Sequence, residues 1–182
     1  VIKQILGNEQ VTQYYVVSLI GKTLVLLIAP INTIVISYLT KRKERLTRSQ
    51  FGKAVLAGGG VSLVFFVACQ IGTPLFVWLF YRNLYESVKG IVTVVNLAQI
   101  LGLFSAFLFI LVLTFTDERW QLWIQLTHFC ILLVSSVLAA RTYGMMGFAV
   151  ASLGANSLRV AAVVILGIVK AGKDKGDRNA DR

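Results

Sequence analysis

Arg159 and Lys22 are the two cations of this chain that fall inside apolar stretches rather than between them. A charged group at mid-membrane depth costs about 2.5–3.5 kcal/mol on insertion scales, so each needs a reason to be there. Arg159 forms an i, i+4, i+7 set with Ser152 and Asn156, which puts all three on one helical face. It lies near the middle of its stretch and is expected to face a cavity or hydrated groove. Lys22 shares a stripe with Ser18, Ala29 and Thr33 in the outer half of the first stretch. Two readings stay open for it: a cavity cation, or a side chain that snorkels to the headgroups. A further stripe carries Gln121, Gln125, His128 and Ser135. It either lines a hydrated pathway or supplies hydrogen bonds between helices. His128, the single histidine, is either a proton-coupling group or a hydrogen-bonded packing residue.

The chemistry left out narrows the function. None of the eight Asp and Glu residues falls inside an apolar stretch. That argues against a carboxylate-based cation site and against acid–base catalysis within the membrane. There is no P-loop, HExxH, GxSxG or Cys/His cluster, and Cys69 and Cys130 have no metal-type spacing. No cofactor and no metal are expected, and the chain reads as a transport pathway rather than an enzyme. Cationic and amide-lined faces without carboxylates suit an anionic ligand, such as a phosphate or pyrophosphate headgroup.

The elements that must position these residues are five apolar stretches, at 14–39, 54–81, 91–115, 121–140 and 148–169. A helix rising about 1.5 Å per residue crosses a bilayer core of about 30 Å in roughly 20 residues. Inside that core each backbone polar group must be bonded within its own segment, so spans of this length should be helices. The composition agrees, at 57% hydrophobic and 14% charged, with a mean hydropathy of +0.76. The fold class expected is all-α: a polytopic membrane helix bundle of about five spans. Residues 1–13 read as an extracytoplasmic lead-in and 170–182 as a disordered cytoplasmic tail. Pro30 and Pro74 are expected to bend the first two helices or open gaps in their bonding. The loop from Lys41 to Lys53 is either a short surface helix with Leu46, Phe51 and Val55 on its apolar face, or a solvated connector.

The net charge of +10 is concentrated in a few loops. With the first loop placed in the cytoplasm, twelve basic residues lie on that side and four (Lys3, Arg82, Lys89, Arg141) on the other. That bias satisfies the positive-inside rule, with an external N-terminus and a cytoplasmic C-terminus. A nucleic-acid partner is not expected, because these loops carry ordinary topological charge.

The segment LGNEQVTQYYVVSLIGKTLVLLIAPINTIVISYL, residues 6–39, resembles a stretch of lipid-linked polysaccharide flippases, the O-antigen type, in the multidrug/oligosaccharidyl-lipid/polysaccharide exporter superfamily. A basic loop follows, then a span ending in a Gly-x-Pro-Leu element at Gly72 to Leu75. Tyr143-Gly144-Met145-Met146-Gly147-Phe148-Ala149 resembles the approach to the family's last helix. The resemblance implies a bacterial inner-membrane protein whose partners are membrane lipids and an undecaprenyl-pyrophosphate-linked sugar, moved by alternating access. Such transporters have twelve helices in two lobes around a cationic cavity. Five spans would match the second lobe from its second helix onward, with the N-terminal lobe supplied from outside this segment. Arg159 and Lys22 would be the cavity's cations, with Asn156, Ser152, Gln125 and His128 beside them. A multidrug antiporter of the same superfamily and a non-transporting membrane scaffold are the competing expectations.

Overall fold

The structure, a computed structural model, describes residues 2–41, 47–113 and 116–180. It is built from α1 (Ile2–Lys41), α2 (Arg48–Phe80), a 3-10 turn (Arg82–Leu84), α3 (Tyr85–Val88), α4 (Val92–Leu113) and α5 (Glu118–Ala180), with no strand among the described residues. Four of these helices, α1, α2, α4 and α5, are long and apolar enough to cross a membrane. The basic run at 42–46 and Arg182 lie outside the described residues.

The two last apolar stretches are two helical arms of α5 joined at Gly144, where the backbone leaves the helical region and the chain folds back on itself. The Gly144 φ of 59° and ψ of −142° are left-handed values that L side chains rarely adopt. His128 and Asn156 are 28 residues apart yet their side chains meet at 3.2 Å. A straight helix would separate them by about 42 Å. The arms before and after Gly144 are therefore antiparallel, with Met145 to Gly147 completing the corner. Gly147 is fixed by proximity: a Cβ there would sit 2.1 Å from the Ala139 carbonyl oxygen, a backbone atom of the facing arm. Five long helical segments result, in the order of the five apolar stretches.

α1 runs through Pro30 and α2 through Pro74 with helical dihedrals, and α1 breaks at Gly7 instead (φ 77°, ψ 169°). Each proline removes one N–H without leaving the helical region. The lead-in up to residue 13 is helical and continuous with the first pass beyond Gly7. α5 likewise continues to Ala180, past the apolar boundary at 169. A helix already nucleated adds one bond per residue fixed, so extending it costs less than starting another. The second half of the first loop belongs to α2. Thr47 caps it, accepting from the Gln50 N–H at 3.3 Å, while the Gln50 side chain accepts from the Thr47 N–H at 3.1 Å.

α4 is the central helix, packed against α1, α2 and α5. Two apolar clusters close its ends. One gathers Val16 and Val17 of α1, Val77 of α2, Val88 of α3, Val92 and Val95 of α4, and Ala149 of α5. The other gathers Phe51 of α2, Leu108, Leu111 and Val112 of α4, and Val163 of α5. Phe51 is fully buried, with its ring laid on Gly167 where a Cβ would meet it at 2.2 Å. Between these clusters, α4 brings Asn96, Gln99 and Gly102 to the level where the polar side chains of the other helices converge.

Candidate functional site

The first arm of α5 places Trp120, Trp123, Thr127, His128 and Ile131 along one stripe, and the second arm places Ala155, Leu158, Arg159 and Ala162 opposite. Together they line a groove of about 420 Å³. The stripe recurs every three to four residues, which is what a helix needs to present one continuous side. Arg159 is half-buried in this groove. Its guanidinium carbon lies 5.5 Å from the centroid of the Phe109 ring on α4, a cation–π distance. Its Nε is buried and has no hydrogen-bond partner. The one ion pair among the described residues joins Lys89 to Glu86, outside the long helices. There the Glu86 carboxylate, through its hydrogen bond and its charge, holds Lys89 above the ordinary lysine pKa. Arg159 has no such carboxylate.

Asn156 sets the register of the two arms against α4. Its Nδ2 donates to the Ala98 carbonyl at 2.8 Å, which fixes the amide orientation and leaves Oδ1 as an acceptor. His128 Nε2 lies 3.2 Å from that oxygen, so Nε2 carries the proton of this contact and Nδ1 is the nitrogen left to gain one. One amide therefore ties three helical passes together, one turn away from Arg159.

The other sequence-predicted residues are scattered. Ser152 is buried and donates to the Phe148 carbonyl at 2.9 Å, with the Tyr14 side chain of α1 close by. It is a packing contact outside the groove. Lys22 is exposed and its ammonium lies 4.2 Å from the Tyr15 ring centroid. It does not line the groove with Arg159. Gln125 is half-buried and does not line the groove. Gln121 is buried with Nε2 unpartnered, and Ser135 donates to the Leu132 carbonyl at 3.5 Å. The stripe from Gln121 to Ser135 thus divides, with His128 alone reaching the groove.

A second polar cluster was not legible as such. Asn96, fully buried, accepts from the Thr73 hydroxyl at 3.2 Å and donates to the Cys69 carbonyl at 3.1 Å and to Gln70 Oε1 at 3.0 Å. Gln70 in turn donates to Thr93 at 2.9 Å. The signal available was an i, i+3 polar pair on each helix, Gln70 with Thr73 and Thr93 with Asn96. The cluster meets its own hydrogen-bonding needs and ties α2 to α4. Trp120, Trp123 and Thr127 also line the groove, a role their place in the sequence does not signal.

The arrangement can hold an anion against a cation in apolar surroundings, with a protonatable imidazole one contact away. That defines an all-helical chain with helices of membrane-crossing length and a cationic groove. The chain matches no family model, no curated protein and no solved structure.

Proposed function

We propose that this chain is a membrane-embedded transport lobe that helps move a lipid-linked oligosaccharide across the bacterial inner membrane, with Arg159 meeting the substrate's pyrophosphate. The membrane reading is supported by the surface. Leu56 is 78% exposed, Leu26 75%, Leu122 69% and Val64 68%, on helices that are apolar on every side. Water would not tolerate such a surface, whereas acyl chains would. The transport reading rests on one observation: a guanidinium with a buried, unpartnered Nε in an apolar groove, without a carboxylate. A guanidinium presents parallel donors to phosphate oxygens, and in low dielectric such charge-assisted bonds replace the water that a pyrophosphate leaves behind. In this reading a second lobe completes the pathway, alternating access carries the sugar, and no nucleic acid or metal takes part.

The test is surface display of polysaccharide in a strain whose own copy of the gene is deleted, with protein level checked by immunoblot. Arg159→Ala is expected to lower display about tenfold or more, the loss expected for a charge-assisted hydrogen bond. Arg159→Lys should fall between, because the charge survives and the fork does not. Lys22→Ala should stay near the parent level, since Lys22 stands outside the groove. Undiminished display from well-expressed Arg159→Ala would make Arg159 structural and favour a scaffold.

Orientation has its own check. With Cys130→Ser as background and Cys69 buried, a cysteine at Asn83 should react with an impermeant thiol reagent in intact cells, and one at Ser49 only after permeabilisation. The reverse pattern would invert the topology drawn from the basic residues.

A further inference from the structure

We infer that the groove between the arms of α5 is a lateral site for an anionic phospholipid of the membrane, its headgroup at Arg159 and its chain along Trp123, Ile131 and Leu158. This rests on the membrane reading above, while a transport role is a separate matter. The lining comes from α5 alone, and it opens on the flank of the bundle: Trp123 is 63% exposed and Leu158 58%. A ligand reaching it would come sideways from the bilayer rather than from water.

The charges along the groove have a direction. Lys170 is eleven residues after Arg159, about three helical turns and roughly 16 Å, so the two cations share a face. The Lys170 ammonium lies 5.5 Å from the Trp120 ring centroid, at the end where the two arms finish. A headgroup at the interface would meet Lys170 and Trp120 first and find Arg159 deeper on the same path. A free phosphate fits poorly. It would have to shed its water among tryptophan, isoleucine and leucine, with one guanidinium in return. A lipid brings its own apolar chain for those residues and an acceptor for the Arg159 donors. The volume of about 420 Å³ lies in the range of sites that enclose drug-sized ligands, enough for a headgroup with part of a chain.

The chain's three tryptophans provide the readout. Trp78 lies at the opposite end of the bundle, near Arg82. Trp78→Phe therefore leaves Trp120 and Trp123 as the only indole fluorophores, both in the groove. The full chain is reconstituted in vesicles with phosphatidylcholine or phosphatidylglycerol carrying brominated chains, which quench on contact. Quenching should show about a fivefold preference for the anionic lipid, the size expected from one basic residue at an anionic lipid. Arg159→Ala should remove most of the preference, Lys170→Ala should reduce it less, and Arg159→Lys should retain most of it. Millimolar pyrophosphate in the buffer should leave quenching unchanged. Equal quenching by the two lipids in the parent would overturn the inference. So would an undiminished preference in Arg159→Ala, a preference lost in Arg159→Lys, or displacement by pyrophosphate, which would make the site one for free anions. Export lost in Arg159→Ala without any lipid preference would remove this site and leave the transport reading standing. A lipid preference with normal export would do the opposite.

Discussion

Gly147→Val should keep the two arms of α5 from closing and cost about 3 kcal/mol or more of stability, at the upper end of overpacking effects. The new Cβ would fall 2.1 Å from the Ala139 carbonyl oxygen and 2.8 Å from the Tyr143 Cβ. Neither belongs to the far end of a flexible side chain, so relief requires the backbone of one arm to move. That motion would pull His128 from Asn156 and open the groove. Gly154→Ala is the contrast. Nothing lies within 4 Å of a Cβ at that position, and the site is exposed on the second arm. Alanine favours helix over glycine by about 1 kcal/mol, so this variant should be neutral or slightly stabilised. Unfolding of the detergent-solubilised protein by added SDS would measure both. Parent-like resistance in Gly147→Val would show that the arms do not approach as closely as described.

Asn96→Leu should loosen α2 from α4. Asn96 makes three of the four hydrogen bonds in the buried cluster, to Thr73, Gln70 and the Cys69 carbonyl. Interhelical hydrogen bonds between apolar helices average about 0.6 kcal/mol and reach about 1.7, so losing three should cost about 2–4 kcal/mol in all. Cys69 reports the event directly, because it is buried at this contact while Cys130 is exposed. In a Cys130→Ser background, Asn96→Leu should raise the rate at which a thiol reagent modifies Cys69 by about tenfold or more, following the loss of stability. An unchanged rate would mean that packing alone holds these helices, with the amide incidental.

The long helices were legible in the sequence because an apolar stretch of this length must satisfy its backbone within its own segment. Five apolar stretches predict five long helical segments, and the structure has four helices long and apolar enough to cross a membrane, the last divided at Gly144 into two arms. The Thr47 to Gln50 capping box, which the sequence reading did not draw on, explains why α2 begins inside the basic loop. Arg159 and His128 stood out because polar groups are few among apolar ones. Rotation about the helix axes was another matter. α2 and α4 are apolar on almost every side, so periodicity carries little signal for which face turns inward. Lys22 and Arg159 look alike in sequence, each a lone cation in an apolar run. α1 turns one onto Tyr15 at the surface, and α5 folds the other into a groove against Phe109. The sequence by itself determined the helical class, the lengths of the passes and the absence of carboxylates within them. Tertiary structure alone decided which polar groups meet: Asn156 with Ala98 and His128, Asn96 with Thr73, Gln70 and Cys69. The reason is physical. A buried amide is satisfied by any partner within hydrogen-bond reach, so its choice depends on which helices pack side by side and at what rotation.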